Sequence, residues 1–256
     1  MIKPQSMLES TFIHVPGVGS STERRLWESG ANDWAAYLAG CEENWPVSTA
    51  QRTNLKPIIE ESVLRLQEAN AFWFAKRIPS SEHWRAAQAF GSQMAYLDIE
   101  TDGGQSGDSI TLIGLYDGHT MHQFIRGKNL QEFPDALNGI GLLITFYGTG
   151  FDLPMLQRAF AGLSLQQMHI DLCYLMRRLG YRGGLKQIER RLGIIRSNST
   201  DGLSGMDAVR LWHEYQLGRR TSLRTLLEYN AEDTRNMADI LEEGYKRMTK
   251  FTLGQE

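Results

Sequence analysis

The chain has 256 residues, of which 41% are hydrophobic and 22% charged, so it can bury a core and is not a disordered tail. Its net charge of −3 excludes a polycation that coats nucleic acid, though not a local basic face. The two cysteines, Cys41 and Cys173, lie far apart without a CxxC, which excludes a disulfide scaffold and a cysteine-rich zinc site and fits a reducing compartment.

The opening MIKPQSMLES has no apolar run after its lysine, so no signal peptide is expected. The first 90 residues read as helical and hold five of the six tryptophans, an aromatic-rich layer. SSTE at 20–23 reads as a capping box opening a helix that stops at Gly30. Asn32 is expected to cap a second, short helix ending near Gly40, and Ser48 to Gln51 is a further capping signal. A long helix is predicted over 56–76 with Pro57 in its first turn, broken by Pro79, with a short helix to Phe90. The period then changes. MAYLDIE at 94–100 reads as a strand, followed by a loop with three glycines, a strand over 110–116, a turn at Asp117-Gly118 and a return strand over 119–126. A short helix at 130–137, an apolar strand at 142–147, a helix at 152–160 and a strand at 168–172 follow, then helices near 172–179, 184–192, 206–217 and 222–248. The apolar stretch at 140–146 is too short to span a bilayer, so a soluble, cytoplasmic protein with no membrane partner is expected. The order implies an α/β fold with a mixed sheet over residues 91–248, after an N-terminal helical region over 1–90.

Three groups of residues carry chemistry. Asp98 and Glu100 are two apart on a strand and face the same side, while Leu97 and Ile99 face a core. Two such carboxylates repel unless a cation lies between them, and all-oxygen ligands suit Mg²⁺ or Mn²⁺; the alternative is a solvated acidic strand end. Asp152 opens a helix after the loop containing Gly148 and Gly150, as a further carboxylate or as a helix N-cap. Tyr229 and Asp233 are four apart and share a helix face, as a phenol beside a carboxylate or as a half-buried Tyr beside a surface Asp. Glu232 projects elsewhere around that helix.

In this order and on these element types, the three groups resemble the DEDD exonuclease superfamily with its ribonuclease-H-like (DnaQ-like) fold, the Tyr four before the last Asp marking the DEDDy branch. The stretches LDIETDGG, ITLIGLYDG, FIRGKNL, HIDLCYLMRRLG, GGLKQIERRLGI and LLEYNAEDTRNM are most similar to the YprB-type ribonuclease-H-like domain, over roughly residues 91–245. The resemblance implies a five-stranded mixed sheet flanked by helices and a two-metal-ion 3′–5′ exonuclease. Asp98, Glu100 and Asp233 would ligate the first Mg²⁺ or Mn²⁺, Asp98 would bridge to the second, and Asp152 would hold the second partly through water. Tyr229 would orient the attacking water, and the product would be a nucleoside 5′-monophosphate from a 3′ end of DNA or RNA. One departure stands out: superfamily members often carry an Asn a few residues before the second-motif Asp, and YGTGFD at 147–152 has none. Tyr147 either stacks on a base or packs on its neighbours. Asp171, ending a strand, is a candidate to support the site or to cap a helix, and His169 reads as structural.

Residues 177–196 carry seven basic side chains against one acid: Arg177, Arg178, Arg182, Lys186, Arg190, Arg191 and Arg196, with Glu189. Such a run is either a solvated helix face or a phosphate grip, and phosphate contacts give affinity without sequence readout. VPGVG at 15–19 resembles the hairpin of a helix-hairpin-helix element, in which Gly17 and Gly19 would present amides to a phosphate; it is equally a good turn. Two other readings are a non-catalytic nucleic-acid-binding protein on the same fold and a structure-specific endonuclease.

Overall fold

Strict alternation gives the centre of the sheet its two faces. A computed structural model describes residues 6–254. In it β1 (Met94–Thr101) turns Ala95, Leu97 and Ile99 into a core, while Asp98 and Glu100 point to the other face. β2 (Ile110–Tyr116) pairs antiparallel with β1, and Asp98 lies opposite Gly114 in that register. The Asp117-Gly118 turn, with Gly118 in the left-handed region, returns the chain into β3 (Met121–Ile125). After a short α5 (Phe133–Ala136), β4 (Leu142–Thr145) adds parallel to β1, and β5 (Met168–Asp171) closes the edge. The strand order is β3-β2-β1-β4-β5, a mixed five-stranded sheet of the expected α/β class.

One sheet face packs the core containing Leu97, Ile99, Phe133, Leu143, Met155, Leu156 and Phe160, in which α6 (Asp152–Ala159) buries its apolar side. After α7 (Leu172–Arg178) and α8 (Leu185–Leu192), α9 (Gly205–Gln216) and α10 (Arg220–Leu253) cover the other face. α10 buries Leu226, Tyr229, Asn230, Asp233, Thr234, Met237, Ile240 and Leu241, a stripe at spacings of three and four. That stripe brings the polar residues of α10 over Asp98 and Glu100. Gly114 permits the approach, because a Cβ there would lie 2.2 Å from Asn230 Oδ1 and 2.8 Å from Thr234 Oγ1.

The described residues divide into two compact units. One runs to Gly91 and takes in 166–168; the other comprises Ser92–Leu165 and His169 onward. The first unit is helical: α1 (Ser20–Glu28), α2 (Trp34–Ala39), α3 (Thr49–Gln67), α4 (Ala71–Ala75) and a 3₁₀ turn over Ser80–Ala86. Its core is aromatic, with Trp34 stacked on Phe74 (centroids 6.1 Å apart) and Trp73 edge-on to Phe74. His14 lies among these rings, donating to or accepting from Ser62 Oγ at 2.8 Å, and burial depresses its pKa to about 3.

Local expectations in this unit need correction. SSTE is not a capping box: Gly19 is the N-cap of α1, and Glu23 turns inward to accept from Phe12 N and Arg85. Asp33, not Asn32, caps α2 by accepting from Ala36 N. The long helix starts at the Ser48/Gln51 capping box, carries Pro57 inside it, and ends where Ala69 takes a positive φ. Residues 6–19 form turns, so no helix precedes the VPGVG turn among the described residues and the helix-hairpin-helix pattern is not made. Gly17 and Gly19 are exposed; Val18 N is used by Val15 O, and Gly17 O accepts from Gln51 Nε2 at 2.7 Å. No described helix is long and apolar enough to cross a membrane.

Candidate metal centre of the C-terminal unit

Asp98 and Glu100 leave the same face of β1, and Asp233 descends on them from α10. One carboxylate oxygen from each lies within 4.8 Å of the others. The solvated-strand-end alternative does not hold, because α10 buries Glu100 and half-buries Asp98. Nor is Asp233 a surface residue; it is buried. Asp152 approaches the same strand. It is the first helical residue of α6 rather than its N-cap, and its Oδ1 accepts from Ile99 N, between the two acids of β1, at 3.1 Å. Asp152 is not within the 4.8 Å group.

Concentrated, buried negative charge disfavours ionisation. Burial pushes Asp98 well above the usual carboxylate range, and Glu100, Asp233 and Asp152 push it further. Glu100 is raised by burial and then by Asp233 and Asp152. Asp152 is raised to about 7, chiefly by burial, and Asp233 is raised by burial against the pull of Arg196. Glu100 Oε1 is buried with no hydrogen-bond partner. Three converging carboxylates with an orphaned oxygen fit a hard divalent cation.

The surroundings orient these acids. Asn230 Nδ2 donates to Asp98 Oδ2 at 2.9 Å, and Gln123 Nε2 reaches Asn230 Oδ1 at 3.4 Å. Tyr229 is buried beside Asp233, and its hydroxyl accepts from Lys186 Nζ at 3.1 Å. Burial and the charges of Asp233, Glu100 and Asp98 push the phenol above its ordinary pKa. Arg196 is buried and pairs with Asp233 while donating twice to Glu189, at 2.7 and 2.6 Å. Asn236 Nδ2 also donates to Glu189. Arg196 therefore leaves the expected basic face and joins the acidic centre, because Glu189 draws it inward.

The other expected residues sit elsewhere. Asp171 caps α7 by accepting from Cys173 N, and its two oxygens also take Tyr147 N and Thr149 N, at 2.8 and 3.1 Å. Arg177, Arg178, Arg182, Arg190 and Arg191 are exposed, while Lys186 is half-buried against Tyr229. His169 Nε2 bonds Thr145 Oγ1 at 2.8 Å, a structural role. Sequence reasoning missed Asn230, Gly114, Glu189 as the anchor of Arg196, and Gln123. Asn230 had one available signal: it lies three before Asp233, within reach of the same helix face.

A family model described as the RNase H superfamily matches residues 95–245, more than half of the chain and every residue of the acidic centre. The chain belongs to the RNase H superfamily. No curated protein matches it. RNase H superfamily membership makes this a domain of nuclease type, acting on nucleic acid and built on a fold that generally uses divalent metals. The ribonuclease-H-like architecture that the resemblance implies is the one observed.

Proposed function

We propose that the protein is a metal-dependent 3′–5′ exonuclease of the DEDDy type. The observation that carries this reading is the convergence of Asp98, Glu100 and Asp233, with the Tyr229 hydroxyl on the same face of α10. Asp98, Glu100 and Asp233 would hold one Mg²⁺ or Mn²⁺, and Asp98 with Asp152 a second. Such ions lower the pKa of an attacking water and stabilise charge on the attacking and leaving oxygens of the phosphodiester. Asn230 fixes the Asp98 carboxylate by donating to Oδ2. Tyr229 keeps its proton and positions the water through its hydroxyl, with Lys186 holding the ring and oxygen in place. Arg177, Arg178, Arg182, Arg190 and Arg191 grip the phosphate backbone without reading bases. DNA and RNA both meet these requirements.

One observation favours a second reading, a non-catalytic nucleic-acid-binding protein. Arg196 already supplies a cation to Asp233, so the centre is partly neutralised by the chain itself. A cleavage time course on 3′-end-labelled and internally labelled single strands separates the two, run with Mn²⁺, Mg²⁺ or EDTA. We expect stepwise, metal-dependent loss from the 3′ end, with none from Asp98→Ala. A blocked 3′ end that is still cut internally would make the enzyme an endonuclease. Salt-sensitive binding without cleavage would establish the second reading.

A further inference from the structure

Apart from Ala69, Tyr147 is the only non-glycine residue with a positive φ among the described residues, at +65°. The turn is built to hold it. Both oxygens of Asp171 fix the turn backbone, through Tyr147 N and Thr149 N, while Asp171 also caps α7. The Tyr147 ring lies over Gly150, where a Cβ would come within 2.9 Å of it. Backbone strain retained under such support clusters at functional sites. The strained turn does not bury its side chain. Tyr147 is 47% exposed, and so is its neighbour Tyr174 on α7, at 44%; their ring centroids are 6.3 Å apart with 39° between the planes. Arg177, one turn further along α7, sits 5.3 Å over the Tyr174 ring. The position is specific as well. β4 runs parallel to β1 with Ile144 opposite Tyr96, so the chain leaving β4 emerges beside Asp98, and five residues after Tyr147 it reaches Asp152 on the backbone of Ile99.

Two half-exposed aromatic rings with an adjoining guanidinium match the chemistry of an unstacked base and its phosphate. A paired base inside a duplex has both faces covered by its neighbours and offers nothing to such a surface. We propose that Tyr147 and Tyr174 form a stacking platform for an unpaired base of single-stranded nucleic acid, with Arg177 on the adjoining phosphate. This rests on the nuclease reading above and gives it a substrate class: a single strand, or a frayed end.

The test is fluorescence anisotropy of the full chain in EDTA. The probes are a single-stranded DNA 12-mer, an RNA of the same sequence, an abasic DNA single strand, and a blunt duplex. Tyr147→Gly, which suits the positive φ, and Tyr174→Ala should each weaken single-strand binding about tenfold, the loss of one base stack. Tyr174→Phe should restore it, duplex binding should barely change, and the abasic strand should not distinguish wild type from variant. The DNA and RNA arms name the natural strand. Wild-type cleavage and binding with both variants unaffected would overturn the platform and leave the nuclease reading standing. A preference for blunt duplex would also overturn the platform. A wild-type protein that binds neither strand would overturn both.

Discussion

The two units bury charge in opposite ways. In the N-terminal unit Glu23 is 1% exposed and Arg85 4%, and the pair is matched: Arg85 Nη1 donates to both Glu23 oxygens at 2.9 Å, and Phe12 N adds a bond at 2.7 Å. In the C-terminal unit Asp98, Glu100, Asp152 and Asp233 converge on one strand end, and Arg196, shared with Glu189, is the buried cation among them. In the first set Arg85, held also by Glu82, pulls against the burial that raises Glu23, whereas in the second the acids raise one another further and leave an orphaned oxygen on Glu100. Imbalance, more than burial, separates a site from a scaffold in this molecule.

The largest expected effect comes from removing a member of the unbalanced set. Asp98→Asn or Asp233→Asn should abolish metal-dependent cleavage, measured on a labelled single strand. Because Asp98→Asn removes like-charge repulsion and breaks no ion pair, its melting temperature in EDTA should hold or rise, whereas Asp233→Asn also gives up the Arg196 pair; in both, the increase on adding Mn²⁺ should vanish. A variant that cleaves at the wild-type rate would place the centre elsewhere. Glu23→Gln should do the reverse. Breaking the buried pair leaves Arg85 with Glu82 alone, 2.7 Å from its Nε, and should cost about 3 kcal/mol of stability, read from denaturant unfolding, with cleavage per folded molecule retained. A Glu23→Gln protein as stable as wild type would erase the contrast between the two units.

How legible these features were depends on whether they are local. The alternation of MAYLDIE placed Asp98 and Glu100 on one face, and the four-residue spacing placed Tyr229 with Asp233, because strand and helix periods are local geometry. The Asp117-Gly118 turn gave the β2–β3 hairpin and the element sequence a mixed sheet, while the five-stranded architecture came from the resemblance and the order β3-β2-β1-β4-β5 from the structure alone. The basic run reads as a solvated helix face or a phosphate grip, since nothing local shows that the chain leaving α8 folds Arg196 back onto Glu189, seven residues earlier. Gly114 is invisible for the same reason: its role exists only where α10 crosses β2. In the helical unit the SSTE signal pointed to a cap, but Glu23 bonds Arg85, which lies 62 residues away. Tertiary pairing overrides a local motif wherever a buried partner of opposite charge is available.

The unbalanced set also fixes a pH dependence of moderate size. Asp152 titrates near 7 in the folded chain and near 4 when unfolded, so between those values the folded state holds more protons. The contribution of Asp152 to stability in EDTA therefore falls as pH rises from about 4 to about 7, and Asp98, Glu100 and Asp233 add in the same direction, while buried His14, depressed to about 3, contributes the opposite slope. A divalent cation replaces those protons, so the stabilisation by Mn²⁺ should grow over the same interval and proton release should accompany binding. Thermal melts at pH 5 to 8, with EDTA or Mn²⁺, check this. The same melts on Asp98→Asn separate the carboxylates from His14, and a pH dependence in EDTA that the substitution leaves unchanged would mean that the carboxylates are balanced after all.

The smallest effect belongs to Tyr229, and its size follows from its proton. The phenol is buried among Asp233, Glu100 and Asp98, all of which oppose a phenolate, and its oxygen accepts from Lys186. A group held protonated at neutral pH cannot serve as the base that takes a proton from water. Its hydroxyl can still place that water, and Tyr229→Phe removes the hydroxyl while keeping the ring that seats Lys186. Cleavage should then slow by about tenfold, below the hundredfold or more typical of losing a general base, with Mn²⁺ affinity unchanged. The pH–rate profile decides between the roles. A positioning hydroxyl leaves its shape intact in the variant, whereas loss of the alkaline limb in Tyr229→Phe would show that the phenol itself exchanges the proton.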